Sequence, residues 1–411
     1  MGVFGRRMGG QAARAWAVVM LAVMTGAGPV TEGGPQAGSV GRSGEERREA
    51  STPAGAGSVK LPTLPGAETT LEVIGFGSCA RDREPQPIWE RIMAAKPQVF
   101  LFIGDNQYAD FWEKDGKIVM QRVPGVEYIH AAYARLAAQS GFAQMRSTVP
   151  ILATWDDHDY GDNDAGKEFP FKAESQRAFL DFWGFGPDAP QRTQEGVYQA
   201  YRFGPEGRRV QIIILDTRYH RDALTRGPRT SRPGPYVPNT DGVGTMLGEA
   251  QWAWLEAQLR QPADVRLVVT SIQVVADEHG HETWGNLPHE RQRLYDLIGS
   301  TGASGVVFLS GDRHLAEISV DRGLEAGRRV PYPMWDFTSS GLNERAREVK
   351  DPNSKRIGPV LRQTNYGRLR LRWGATPESS EVEFTAHGDA GQVLTRQTVF
   401  VSDLRVKPAG R

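Results

Sequence analysis

The sequence predicts a layered α/β fold. Short apolar runs recur along the chain, segments with helical spacing separate several of them, and the pattern becomes mostly β after Pro331. Polar residues that carry chemistry cluster where the apolar runs end. Because strands of open α/β sheets release their functional residues at their carboxyl ends, we expect one site there.

The first elements follow from apolar runs and their spacing. Residues 71–78 and 98–104 are predicted strands with glycine at or near their ends, and residues 88–97 between them have apolar side chains at helical spacing. Residues 126–142 are predicted to form one longer helix, and residues 149–157 form a buried strand followed at once by polar residues. This order gives the alternation that a layered α/β fold requires.

The later elements continue the alternation and end in β structure. Further strands are predicted at residues 198–203, 210–216, 265–271 and 305–312, with amphipathic helices at 249–259 and 289–299, and final strands at 367–373, 381–387 and 392–401. We find no internal repeat and no later linker, so residues 67–411 are predicted to form a single catalytic domain.

The N-terminal residues indicate export. Three arginines, Arg6, Arg7 and Arg14, precede an apolar run at 15–23 that fades into small residues, which is typical of a signal peptide over residues 1–28. Either the Sec or the twin-arginine route fits, and an accidental apolar N-terminus is the alternative. Residues 29–66 are rich in Gly, Pro, Ser and charge and predict a disordered linker. We therefore expect a secreted or periplasmic protein without a transmembrane segment.

Composition excludes several classes of protein. The 49 basic and 49 acidic side chains cancel, which argues against nucleic-acid binding as the main role and against a polybasic membrane binder. Cys79 is the single cysteine, so no intrachain disulfide can form. We expect a monomer.

Four strand ends carry potential metal ligands. In chain order they contribute Cys79, then Asp105 and Tyr108, then Asp157 and His158, then Asp312 and His314. Carboxylates suit Ca²⁺ or Mn²⁺, whereas thiolate, imidazole and phenolate suit iron or zinc. This mixture predicts two unlike metals that share a bridging carboxylate and hold a phosphoryl group.

Each of these residues also has a structural interpretation. Cys79 could be a small buried hydrophobe and His158 a hydrogen-bonded structural histidine. Asp105 could cap a turn, and Asp157 could form a turn or a helix cap. Because four such groups follow four strands, the metal-site interpretation is favoured over four separate structural roles.

The motifs also resemble a known family. The segments FGSCARDREPQPIWERI, FLFIGDNQYAD, ATWDDHDYGDND, ILDTRYHRD and FLSGDRHLAEI are similar, in this order, to the signature blocks of the alkaline phosphatase D (PhoD-like) metallophosphatases. The resemblance runs from about residue 71 to the C-terminus. It implies a four-layer α/β/β/α sandwich of the metallophosphoesterase type, an iron–calcium centre, secretion, and phosphomonoesterase or phosphodiesterase activity.

The resemblance also implies a ligand set. Fe³⁺ would be surrounded by Cys79, Asp105, Tyr108 and His314, and Ca²⁺ by the bridging Asp105 with Asp157, Asp312 and Asn163. Another pair, such as Mn²⁺ or Zn²⁺, remains open.

Three further residues are candidates for direct contact with the substrate. His158 is predicted to be a general acid or a phosphate contact, oriented by Asp159 or Asp156. Arg218 and Arg313 are predicted to clamp phosphate, with a salt bridge inside the fold as the alternative for either. The polar loop at residues 277–282 is expected at the rim of the site, where it could supply specificity.

These observations predict metal-dependent phosphoester hydrolysis by in-line attack of a metal-activated hydroxide, without a covalent enzyme intermediate. Two alternatives stay open. One is a phospholipase D-like phosphodiesterase acting on lipid or teichoic-acid-type substrates, and the other is a non-catalytic secreted metal-binding protein on the same scaffold.

Overall fold

The computed structural model describes residues 61–228, 233–346 and 352–406, and all of these belong to one compact unit. The predicted signal peptide and residues 29–60 of the predicted linker lie outside the described residues. Residues 61–66, the last part of the predicted linker, are described: Leu64 packs against the core, and Leu61 lines a cavity with Trp183. Among the described residues, no helix is long and apolar enough to cross a membrane.

Helices and strands alternate through the first three quarters of the described chain. The helices are α1 (Ile88–Ala94), α2 (Val126–Ala138), α3 (Ser140–Thr148), α4 (Asp157–Tyr160), α5 (Lys172–Phe182), α6 (Gly248–Leu259) and α7 (Pro288–Ser300). The strands are β1 (Val73–Gly77), β2 (Val99–Ile103), β3 (Phe111–Lys114), β4 (Lys117–Met120), β5 (Ile151–Thr154), β6 (Gln199–Phe203), β7 (Val210–Ile214), β8 (Val265–Val269), β9 (Val306–Ser310), β10 (Ala316–Asp321), β11 (Met334–Ser339), β12 (Arg356–Leu361), β13 (Asn365–Arg372), β14 (Glu381–Gly388) and β15 (Val393–Phe400).

The strands form two large sheets and a hairpin. One sheet has six strands in the order β15-β14-β13-β1-β2-β5, and the other has seven in the order β12-β10-β11-β9-β8-β7-β6. β1, β2 and β5 are parallel neighbours in the first sheet, as are β7, β8, β9 and β11 in the second. β3 and β4 form the separate hairpin.

The alternation of side chains on β2 shows how the layers arise. Leu101 points into the core between the sheets, whereas Phe100 and Phe102 point to the outer face and meet Trp89 of α1 at ring-centroid distances of 5.8 and 5.6 Å. Between the sheets, the rings of Phe337 and Phe384 stack at 4.7 Å.

Helices cover both outer faces. The helices α1, α2, α3 and α5 enclose the apolar cluster outside the first sheet, and α6 and α7 bury Leu255 and Leu294 against the second. The predicted four-layer α/β/β/α sandwich is confirmed.

One predicted helix is divided. The segment 126–142 contains all of α2 and the start of α3, because Gln139 has an extended backbone with ψ of 113°. Its side-chain amide donates to the main-chain oxygens of Asp82, at 2.8 Å, and of Glu84. The break is fixed by these tertiary contacts, which helical periodicity does not encode.

Candidate metal centre

The topology brings the four predicted strand ends to one place. Cys79 follows β1, Asp105 and Tyr108 follow β2, and α4 begins just after β5, whereas Asp312 follows β9 of the other sheet. Because β1, β2 and β5 are parallel, their carboxyl ends lie at the same edge of the first sheet. The carboxyl end of β9, in the second sheet, lies next to this edge across the sandwich.

Four of the converging residues have left-handed backbone conformations. The φ angles are 64° at Cys79, 46° at Asp105, 68° at Asp312 and 56° at His314. Such conformations are uncommon for residues other than glycine and concentrate at functional sites. Here they turn each chain sharply at the end of its strand and aim its side chain into the site.

We call Cys79, Asp105, Tyr108 and His314 the cysteine–tyrosine cluster. The Asp105 Oδ2 atom lies 3.2 Å from Cys79 Sγ and accepts a hydrogen bond of 3.1 Å from the Tyr108 hydroxyl. That hydroxyl is also 3.4 Å from His314 Nε2. The four side chains therefore face one point with a sulfur, a carboxylate, a phenol and an imidazole.

The protonation of this cluster is set by burial. Burial, followed by the charge of Asp105, raises the pKa of both the Cys79 thiol and the Tyr108 phenol well above their usual values. A cation bound at this point would favour the anionic forms of both groups.

We call Asp156, Asp157 and Asp312 the acid cluster. Their carboxylate oxygens lie within 4.8 Å of one another, and Asp105, Asp157 and His158 form a second group of the same size that joins the two clusters. Asp105, Asp157 and Asp312 each have a buried carboxylate oxygen that finds no hydrogen-bond partner among the described residues. Because unpaired buried carboxylate oxygens are costly, this arrangement fits cation binding.

His158 is held by Asp110, and the expectation that Asp159 or Asp156 orients it is wrong. Both carboxylate oxygens of Asp110 lie 2.9 Å from His158 Nδ1. The carboxylate of Asp159 instead accepts hydrogen bonds from the main-chain N–H groups of Asp156, at 2.6 Å, and Asn106, at 3.0 Å.

The environment of His158 favours its charged form. Burial acts to lower its pKa, but neighbouring carboxylates, led by Asp110 and Asp157, outweigh burial and raise that pKa well above its usual value. The imidazole ring also stacks on Tyr108 with centroids 4.3 Å apart. The ring is thus fixed at the junction of the two clusters by Asp110 and Tyr108.

Arg218 is fully buried and bonded inside the fold. Its Nε donates to Asp156 at 2.6 Å, and its terminal nitrogens lie 2.9 and 2.7 Å from the two Glu282 carboxylate oxygens. These contacts agree with the salt-bridge alternative, and a direct phosphate contact by Arg218 stays a prediction. Arg221 lies 2.8 Å from the same carboxylate, so two arginines balance charge behind the acid cluster.

The other two predicted residues lie at the edge of the site. Arg313 is partly buried, and its NH1 is 3.8 Å from Asp312 Oδ2. Asn163 is exposed. Its neighbour Asp164 donates its main-chain N–H to Asp157 Oδ2 at 2.7 Å, and the Asp164 carboxylate groups with Asp157 and Glu282. The roles of Arg313 and Asn163 stay predictions.

Several supporting residues were not found from the sequence. The Ser340 hydroxyl lies 3.2 Å from Cys79 Sγ and accepts the main-chain N–H of His314 at 2.8 Å. Glu344 lies 3.8 Å from His314 Nδ1, opposite the nitrogen that faces Tyr108. These residues follow β11, far along the chain from Cys79, and no local motif marks them.

A two-sheet α/β sandwich with this mixed ligand set at its strand ends defines a protein of the metallophosphoesterase type. Residues 74–393 match the family described as PhoD-like phosphatase. Since the match covers more than half of the chain, the chain belongs to this family.

Known relatives agree with this assignment. Alkaline phosphatase D of Bacillus subtilis (strain 168) is 23% identical over 284 residues, which are 63% of this chain and 48% of the relative. The chain thus spans about half the length of that curated relative. The solved structure of PhoD superposes with a TM-score of 0.61 at 17% identity, covering 83% of this chain and 70% of the other.

A more distant structure shares the fold. Purple acid phosphatase PPD1 from yellow lupin (Lupinus luteus) seeds gives a TM-score of 0.54 at 12% identity, covering 83% of this chain and 55% of the other. At these identities the structural likeness shows the fold alone.

Proposed function

We propose that this protein hydrolyses phosphoesters with the help of two metal ions. The observation that carries the proposal is the junction of the two clusters, where Asp105 and Asp157 place buried oxygens, unpaired among the described residues, beside the imidazole of His158. Family membership supports the same reaction class.

The residues present fit an unlike pair of metals. The cysteine–tyrosine cluster combines sulfur, phenol, imidazole and carboxylate, which suits Fe³⁺, and the acid cluster offers only carboxylates, which suits Ca²⁺. Asp105 would face both. When bound, such a pair supplies Lewis acidity that activates water and offsets the charge of the phosphoryl oxygens.

His158 would donate the proton that the leaving alcohol requires. Asp110 holds Nδ1, so Nε2 is the nitrogen left to face the junction of the clusters. A general acid must be protonated before it reacts, and the carboxylates that raise the pKa of His158 favour the protonated ring.

Two further proposals concern the class of phosphoester that the protein hydrolyses and its export from the cell. Phosphomonoesters and phosphodiesters are both proposed as substrates, and the arginine-led apolar N-terminal sequence supports export.

The test combines metal analysis with turnover. Protein purified without added metal is assayed for iron and calcium, its visible spectrum is recorded, and p-nitrophenyl phosphate is compared with bis-p-nitrophenyl phosphate. Tyr108→Phe is measured beside the control Tyr201→Phe, whose hydroxyl bonds Gln199 on β6.

We expect bound iron with a visible charge-transfer band that disappears in Tyr108→Phe and persists in Tyr201→Phe. The faster substrate distinguishes monoesterase from diesterase activity. Zinc in colourless protein would contradict the iron assignment, and fully metal-loaded protein that hydrolyses neither ester would leave the metal-binding alternative instead.

A further inference from the structure

A cavity of about 370 Å³ adjoins the metal centre on the side of Asp110, within the size range of small-molecule pockets. Asp110 lines this cavity, and its carboxylate also lies 2.9 Å from His158 Nδ1. Asn163, a predicted calcium ligand, is part of the same lining. The cavity is therefore one side chain away from the imidazole that is proposed to donate the proton.

The hairpin of β3 and β4 provides one wall of the cavity. Phe111 and Met120 are paired directly across the two strands, so their side chains lie on the same face of the hairpin. The Phe111 ring contacts the His158 ring with centroids 5.5 Å apart, and the half-exposed Met120 side chain lines the cavity. One apolar face thus connects the imidazole with the cavity.

The segment after α4 provides a second wall. Ala165, Phe169 and Pro170 of this segment line the cavity. The same segment is attached to the acid cluster, because the main-chain N–H of Asp164 donates to the Asp157 carboxylate at 2.7 Å. Both walls are therefore in contact with residues of the metal centre.

Two carboxylates on the lining are bonded within the walls. Asp162 accepts the main-chain N–H of Val123 at 2.6 Å, and Glu168 accepts that of Gly166 at 3.0 Å. Arg122 on the same lining brings a positive charge that opposes theirs. These bonds hold the lining segments in shape, and the apolar side chains of both walls offer contact surface to a ligand.

Resting on the hydrolase function proposed above, we propose that this cavity binds the alcohol portion of the phosphoester and that Met120 selects alcohols with an apolar body. The leaving oxygen must lie within hydrogen-bond reach of the general acid, His158. The rest of the alcohol then extends past the imidazole, along the face of Phe111 and Met120, into the cavity. Binding of this non-reacting part raises kcat/KM for apolar alcohols.

Phenyl phosphate and 2-naphthyl phosphate are the probes, because they share the reacting group and differ by one aromatic ring. Their kcat/KM values are measured with the metal-containing protein in wild type, Met120→Ser and Met120→Leu. Serine removes the apolar wall at this position, whereas leucine keeps it. Leu324→Ser is the matched control, because Leu324 is exposed and follows β10, outside the lining of the cavity.

We expect wild type to prefer 2-naphthyl phosphate. The ratio of kcat/KM for the naphthyl ester to that for the phenyl ester should fall about tenfold in Met120→Ser, since an apolar contact in a pocket discriminates by about that factor. The ratio should stay within about twofold of wild type in Met120→Leu and Leu324→Ser. Metal content and melting temperature are recorded for every variant, so that a general loss of structure is recognised.

An unchanged ratio in Met120→Ser, with both esters still hydrolysed, would overturn the subsite and leave the hydrolase function standing. A wild-type preference for phenyl phosphate would overturn the apolar selectivity in the same way. Wild-type protein that carries both metals but hydrolyses neither of these esters nor bis-p-nitrophenyl phosphate would overturn the function itself.

Discussion

The two halves of the metal centre balance their charge in different ways. In the acid cluster, Asp156 is bonded to the buried Arg218 and to the Ser271 hydroxyl at 2.6 Å. In the cysteine–tyrosine cluster, Cys79 and Tyr108 contact a carboxylate and must themselves lose protons to become anionic. A cation would therefore displace protons from a thiol and a phenol in one half, whereas in the other half it would meet only carboxyl groups, one of which, Asp156, is bonded to Arg218.

Replacing the residue common to both halves is expected to have the largest effect. Asp105→Ala removes the carboxylate that contacts Cys79 and Tyr108 and that also lies close to Asp157. Both halves would therefore lose a metal ligand. We expect activity to fall by more than about 10³-fold, equivalent to more than about 4 kcal/mol, with loss of both metals.

Activity and metal content of Asp105→Ala are measured beside Asp115→Asn, an exposed aspartate in the turn between β3 and β4. Loss of one metal with full retention of the other would show that the halves are independent, against the arrangement described here.

Removing the arginine behind the acid cluster tests its charge balance. Arg218→Met removes the arginine partner of Asp156 and one of the two arginines that bind Glu282, and we expect a loss of about 3–5 kcal/mol in the free energy of unfolding. The exposed pair Arg260–Glu256 provides the control, and Arg260→Met should cost less than about 1 kcal/mol.

The pH dependence of this loss has a defined sign. Burial raises the pKa of Asp156 to about 7, against the lowering effect of Arg218, so Arg218→Met raises it further. A carboxyl whose pKa is higher in the folded protein binds more protons folded than unfolded, and stability then falls as pH rises. Denaturant unfolding should therefore show a smaller deficit near pH 5 than near pH 8, and a pH-independent deficit would contradict this account.

Asp110→Asn tests the proton donor at the junction of the two halves. The neutral amide no longer stabilises the imidazolium of His158, so its pKa should fall and the alkaline limb of the pH–rate profile should move to lower pH. We expect kcat to fall about 10²-fold with metal content unchanged. A profile that keeps its alkaline limb would remove His158 from the role of acid.

The smallest effect is expected at Asn163. The side chain is exposed, so Asn163→Ala should change kcat/KM and calcium content by less than about twofold. A loss of calcium in this variant would instead indicate that Asn163 binds calcium together with the acid cluster, as the family resemblance implies.

Sequence reasoning was most successful where short motifs follow strands. Cys79, Asp105, Asp157 and Asp312 each end a recognisable apolar run, and the parallel order of β1, β2 and β5 brings three of these ends together. The layered fold was predictable for the same reason, since apolar periodicity is a local property.

The contacts that hold these side chains were not predictable from local patterns. Asp159 is one residue from His158 yet caps its own helix, whereas Asp110, 48 positions earlier, makes the bond. Arg218 and Glu282 meet across 64 positions. Such pairings follow from tertiary packing, which spacing along one sequence does not specify.

The left-handed backbone at Cys79, Asp105, Asp312 and His314 has a consequence for evolution. Glycine adopts this conformation freely, whereas other residues do so at a cost of about 1 kcal/mol each. Selection for thermal stability alone would therefore favour glycine at all four positions. Retaining a thiol, two carboxylates and an imidazole there is a trade-off of stability for function, and stabilised variants of this protein should be sought away from its strand ends.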